Sequence, residues 1–215
     1  MASQDTATRL LKRHDALKAV QSNCLRVWQD IADFCIPHKA NLLTKRLLEG
    51  ARQTDRLFDA TAPHALILLA SSMHQSMTPS TQPWLSLKMR QAELNEDKAV
   101  TDWLEDCARR MHAAFRQSEF NQSVHELYLD LAAFGTAAIL IEEKDPKLTR
   151  ANASTFGGFR FHVPAIGDYV IAENADGVVD TLFRTFTLSY RAADTKWPGK
   201  LSTQAQEKAK SKPDD

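Results

Sequence analysis

His125 and Glu126 open like the helix motif of a zinc protease, in which a second histidine four residues after the first shares its face and completes the metal's ligands. Leu129 stands at that position, so the motif fails. Cys35 and His38 flank Pro37 and have the types for a thiolate-imidazole pair, but no other cysteine or histidine lies near them. Cys35 reads better as an apolar residue at a helix end. His64 and His74 sit on one helical stretch with their side chains about 80° apart at 100° per residue, so they are not expected to share a ligand. Asp55 with Asp59, and Asp102 with Asp106, have i,i+4 spacing; the expected role is an N-terminal turn or a solvated acidic face. With only 7 glycines and neither a phosphate loop nor a nucleophile elbow, nucleotide hydrolysis and serine hydrolysis lack their usual backbone geometry. The residues therefore predict no catalytic site, no metal centre and no cofactor.

Nucleic-acid binding has a weak basis of its own. Lys39, Lys45, Arg46, Arg52 and Arg56 could touch phosphates and Trp84 or Trp103 could stack on bases. No aromatic is interleaved among the basic residues, so the cluster is read as a solvated segment and the tryptophans as core. The 27 basic and 27 acidic residues balance, which removes any overall attraction to a polyanion or an anionic membrane. Cys24, Cys35 and Cys107 are odd in number and widely spaced, which argues against a disulfide framework and for a reducing compartment. The N-terminus lacks the apolar core of a signal peptide, and the longest apolar run, 65–70, is far short of a membrane helix. The expectation is a soluble chain, not exported by the usual route, for which the sequons at Asn121 and Asn152 carry no meaning.

The elements that would position these residues follow from periodicity. Leu10, Leu17, Val20, Cys24, Val27, Ile31 and Phe34 form one stripe of a long helix over 8–36, interrupted early by Arg13 and stopped by Pro37. Residues 42–58 are basic and mixed and are read as a loop or short helix. Thr61 is the expected cap of a helix over 61–77, with Pro63 in its first turn. Leu66, Leu69, Ala70, Met73 and Met77 share one face of it, and Ile67 and Leu68 make the other face apolar too, which predicts deep burial. The stretch 77–87 reads as an irregular loop pinned by Trp84.

Val100, Trp103, Leu104, Cys107, Met111 and Phe115 predict an amphipathic helix over 97–117. Phe120, Val124, Leu127, Tyr128, Leu131 and Phe134 predict another over 121–134, with Ser123 and Glu126 at capping-box spacing and Gly135 as its stop. A buried strand is expected at about 136–142, followed by strands at about 158–163, 168–173 and 178–187. Asp176-Gly177 marks a hairpin between the last two. The fold class is α+β: a mainly helical N-terminal two thirds, then a small antiparallel β-sheet and short C-terminal helices. Residues 1–200 form one domain in this reading, and 201–215 a polar tail.

The order of particular residues along this frame is more specific than any one of them. Trp28 precedes the Pro37 stop; Leu57, Phe58, Asp59, Ala60 and Thr61 lead into the second helix; Met77, Thr78, Pro79 and Ser80 lead to Pro83, Trp84 and Leu85. Trp103 and Leu104 follow, then Phe120 and Asn121, then Glu126, Tyr128 and Asp130, then Phe134, Gly135 and Thr136. Glu173, Asn174, Gly177, Val179 and Asp180 come last, with Arg184 and Phe186. In this order the chain resembles the N-terminal part of the head-to-tail connecting, or portal, proteins of short-tailed bacteriophages related to T7.

That resemblance implies a structural protein of the virion, made in the host cytoplasm and set at one capsid vertex. Its copies would form a ring, usually a dodecamer, whose tunnel passes double-stranded DNA without reading its sequence, while a separate terminase supplies the ATPase. Capsid, tail and terminase would be its partners, with no membrane and no cofactor. The elements seen here correspond to the outer wing, in which Trp28, Asp59, Pro79, Trp84, Trp103, Phe120, Tyr128, Phe134, Gly135, Glu173, Asn174 and Gly177 would be structural positions. Portal chains run further, through stem, clip and often crown, whereas this sequence stops soon after Trp197, so those parts are expected to lie outside it. The competing expectation is a small helical adaptor that pairs the stripe from Leu10 to Phe34 with a partner helix.

Overall fold

The protein is described by a computed structural model covering residues 2–39, 57–144 and 158–201, with side chains from residue 5 onward. The expected loop at 42–58 lies outside the described residues apart from its last two, as do Lys45, Arg46, Arg52, Asp55, Arg56, the sequon at Asn152 and all of the tail beyond Leu201. The chain divides into two compact units, Met1–Val170 and Ile171–Asp215.

The first unit is helical before it is extended. Helix α1 (Ala2–Cys35) runs into a single 3-10 turn at Pro37–Lys39, where the proline removes the donor that would continue the α-helix. Helix α2 (Thr61–Met77) has the expected bounds, but Thr61 is not its cap. Instead the Asp59 carboxylate accepts from both the Thr61 backbone N–H (3.1 Å) and the Thr61 hydroxyl (2.9 Å), because a carboxylate two residues back reaches a first-turn donor that Thr61 cannot reach from within the helix.

Helix α3 (Lys98–Arg116) starts on Asp97, whose side chain accepts from Ala99 N–H at 2.8 Å. Helix α4 (Phe120–Phe134) starts earlier than expected, with Ser118 Oγ accepting from Phe120 N–H at 3.3 Å. Ser123 is therefore inside the helix and makes no capping box; its hydroxyl donates to the Phe161 carbonyl at 3.3 Å. Gly135 ends α4 at φ +73°, a left-handed conformation that costs a side-chain-bearing residue about 1–2 kcal/mol.

Strands β1 (Leu140–Glu143) and β2 (Phe159–His162) pair antiparallel, with Ile141 opposite Phe161 and Glu142 opposite Arg160. The run expected to be one buried strand from 136 pairs only from Leu140, and Ile141 is 57% exposed. Ile141 shares a face with its cross-strand partner Phe161, but α4 packs on β2, so Phe161 is covered while Ile141 on the outer strand is not. The core gathers Ile36, Leu66, Ala70, Phe120, Val124, Tyr128, Leu129 and Phe161, so α1, α2, α4 and β2 all contribute.

In the second unit, β3 (Tyr169–Glu173), which begins in the last residues of the first, pairs with β4 (Val179–Arg184). The described strands thus form two separate two-stranded sheets rather than one. The turn between β3 and β4 is longer than an Asp-Gly pair. Asn174 C=O accepts from Gly177 N–H at 3.1 Å, its side-chain oxygen accepts from Asp176 and Val178 N–H, and Gly177 takes φ +73°. Ala175 and Asp176 are the central residues, and glycine follows them in the left-handed position. A single short helix, α5 (Tyr190–Lys196), is capped by Ser189, which accepts from Ala192 N–H at 3.4 Å.

Candidate functional site

Two of the predicted positions meet in an aromatic cluster that holds the proline-rich loop to the helices. Trp84 stacks on Phe115 (centroids 5.9 Å, planes 13° apart) and on Phe120 (5.6 Å, 6°), and meets the edge of His112 at 5.6 Å. Phe115 and Phe120 stack on each other at 4.7 Å, and Phe161 of β2 closes on Phe120 edge-on at 5.1 Å. Each such pair contributes about 0.5–1.5 kcal/mol beyond area burial, so an otherwise irregular segment is fixed without regular backbone pairing. His112, only 7% exposed, sets its Nε2 3.4 Å from both the N–H and the carbonyl of Leu85. Beside it, the extended residues after Pro83 and the face of α3 around Leu104, Ala108 and His112 enclose a cavity of about 590 Å³.

A second constellation ties the end of α1 to α4. Lys39 Nζ donates to Asp130 Oδ1 at 2.8 Å and lies 3.7 Å from Glu126. The Asp130 side chain is 3% exposed, and burial raises its carboxyl pKa above the usual carboxylate value despite the opposing pull of Lys39. Lys39 is thus committed to a buried partner and does not belong to a phosphate-binding cluster. Earlier on α4, Tyr128 hydroxyl and Thr78 hydroxyl are 3.2 Å apart, which anchors the start of the loop.

Tyr128 also borders His74 (6.1 Å), and His74 faces His125 at 6.0 Å between ring centroids. Burial first, and His125 second, hold the His74 ring below its ordinary pKa, and its Nε2 is enclosed with no hydrogen-bond partner. Pro79 lines a small polar pocket with these two histidines. The pairing of His74 with His125 across two helices was not legible in either helix alone. No group of three or more His, Cys, Asp or Glu that could hold a metal occurs among the described residues.

The remaining predicted positions are dispersed. Trp28 meets Phe134 edge-on at 6.5 Å, immediately before Gly135. Asp59 acts on the start of α2 as described, and Glu173, Asn174 and Gly177 belong to the β3-β4 turn of the second unit. Trp103 is 62% exposed and is no core residue, because it lies roughly 120° or more round α3 from the line of Ala108, His112 and Phe115. Cys35 packs half-buried against the core, and His38 is exposed. Asp106 pairs with Arg109 and with Arg110 on a solvated face.

Pattern reading missed Gln21, and it took Lys39 only for one of a solvated basic cluster. Gln21 Nε2 donates from α1 to the carbonyls of Ile166 (3.3 Å) and Tyr169 (2.8 Å). A carboxylate on the apolar side of α4, at Asp130, was the one available signal that a cation had to be found elsewhere.

Stacked rings, a buried ion pair and capped helix ends brace the described residues. Residues 7–215 match the family described as bacteriophage head to tail connecting protein. A probable portal protein of Bordetella phage BPP-1 is 30% identical over 189 residues, which is 88% of this chain and 32% of that protein. The portal protein of Salmonella phage epsilon15 is 30% identical over 183 residues, 85% of this chain and 31% of that protein. The chain spans about a third of the length of these relatives. Portal proteins are structural components of the virion and not enzymes. With nearly its whole length matched, this chain belongs to the bacteriophage head to tail connecting protein family.

Proposed function

We propose that the chain is the wing part of a portal subunit, built like those of T7-related short-tailed phages, and that its copies stand in a ring, a dodecamer in the usual case. Double-stranded DNA passes through that ring during packaging and ejection. Capsid, tail and terminase contact the complete portal through parts lying beyond this third of the polypeptide. The match over residues 7–215 carries this reading. The architecture supports it, since rigid helices braced by stacked aromatics and a small sheet meet the demands of a wing without any reacting group.

The adaptor reading is disfavoured by α1 itself. Ala32 near its end and Ile36 just beyond it are fully buried, and Gln21 is tied to the carbonyls of Ile166 and of Tyr169, the first residue of β3, so the helix is part of the core and not a detachable arm. Native mass and negative-stain images across concentration test the proposal, on the chain alone and on the chain joined to the remaining two thirds of a portal polypeptide. Rings are expected at least in the joined form. A protein that stays monomeric in both forms overturns the proposal.

A further inference from the structure

Helix α2 contains no Lys, Arg, Asp or Glu in 17 residues, yet only Leu66 and Ala70 are buried. Ile67, Leu68 and Leu69 are 52%, 62% and 50% exposed. Large apolar side chains left this exposed, side by side on one helix, are a surface that a partner can cover. The exposed line Thr61, Ala65, Leu68, Leu69, Ser72 and Ser76 follows helical spacing and sets its two leucines between small residues on either side. Two of its hydroxyls need no outside partner: Ser72 donates to the Leu68 carbonyl at 2.8 Å and Thr61 to Asp59 at 2.9 Å. Burying these two therefore leaves neither hydroxyl unsatisfied.

Helix α1 carries the complementary line. Val20 and Val27 are 68% and 60% exposed, Phe34 is 44% exposed, and Cys24 lies among them. From Val20 to Phe34 this line is about 21 Å long, and the α2 line from Thr61 to Ser76 is about 22 Å. Large β-branched and aromatic knobs on one helix match a face on the other built partly of alanine and serine. The uncharged α2 sets no like charge against Arg26 or Asp30 beside the α1 line. The two patches differ, so their pairing is head-to-tail, the kind of contact that closes rings; a patch paired with itself stops at a dimer.

We infer that the outer line of α2 in one copy packs against the Val20 to Phe34 line of α1 in a second copy of this chain. The inference rests on the ring reading above and names the surfaces that make the ring. Cross-linking tests it. With Cys35→Ser and Cys107→Ser in place, Leu68→Cys is combined with the native Cys24 and treated with a short bis-maleimide. A covalent ladder beyond dimer is expected, and none is expected when either the native Cys24 thiol or the thiol introduced by Leu68→Cys is present alone.

Oligomers that form without a ladder, or a lone Cys24 that yields dimers, overturn the interface while leaving the ring reading intact. A chain monomeric at every concentration, alone and joined to the rest of the portal, overturns both. As a second arm, Leu68→Glu and Val27→Lys are expected to lower assembly affinity about tenfold or more, with unchanged circular dichroism because both positions are exposed in the single chain. Unchanged assembly in both variants also overturns the interface.

Discussion

At the scale of single residues, the Lys39–Asp130 pair is the point where loss of one group would matter most. Lys39→Met would leave a carboxylate that is 3% exposed without its cation, a class of change that costs about 3–5 kcal/mol. Protonated Asp130 needs no cation, and burial raises its pKa above 3.8. The urea-unfolding gap between wild type and variant should therefore be widest near neutral pH and narrow as pH is lowered into the carboxylate range; a constant gap would contradict this account. His74 has the opposite sign. Its folded pKa lies below the ordinary 6.5, so the stability its neutral ring contributes is present above about that pH and lost as pH falls through the lower folded value. The melting temperature should fall between about pH 7.5 and pH 5.0, and His74→Phe should flatten that fall, since it keeps a ring beside Tyr128 and removes the titration. An equally steep fall in the variant would assign the acid sensitivity to other groups.

At the scale of elements, the helix stops were more legible than the N-caps, of which the expected Thr61 and Ser123 were both misassigned. Pro37 and Gly135 end helices where their backbone chemistry requires it, and the bounds of α2 follow from its periodicity. Which face of a helix is inside was harder to read. The stripe on α1 contains Val20, Cys24, Val27 and Phe34, all exposed or nearly so, whereas the face that packs holds Gln21, Trp28, Ala32 and Ile36, rotated towards the core. A helix with two apolar faces offers two solutions, and periodicity does not say which one the fold uses first. Residues 5–13 of α1 are exposed throughout. Removing residues 1–12 should shift the melting temperature by only a degree or two, whereas removal through Pro37 should abolish cooperative unfolding, because Ala32 and Ile36 go with it. Circular dichroism melts of the two truncated chains check this.

At the scale of the whole molecule, 27 positive and 27 negative residues place the isoelectric point near 7.1. Self-repulsion is then weakest near neutrality while Ile67, Leu68, Val20 and Val27 stand exposed. Light scattering should show association strongest near pH 7 and weaker about two units to the alkaline side, a loss that added salt partly reverses by screening the charge. Association indifferent to pH would mean that net charge plays no part in it. The sequence by itself determined the run of helices followed by strands, the stops at Pro37 and Gly135, the absence of a complete zinc-protease motif and the ordered landmarks shared with portal proteins, because each depends on local backbone preference or on the linear order of residues. Only the tertiary structure decided that Trp84 stacks on Phe115 and Phe120, that Lys39 answers Asp130, that His74 meets His125, and that the outer faces of α1 and α2 stay uncovered. Those are contacts between residues far apart in the chain, and the packing of one helix against another selects them, which no periodicity within a single helix records.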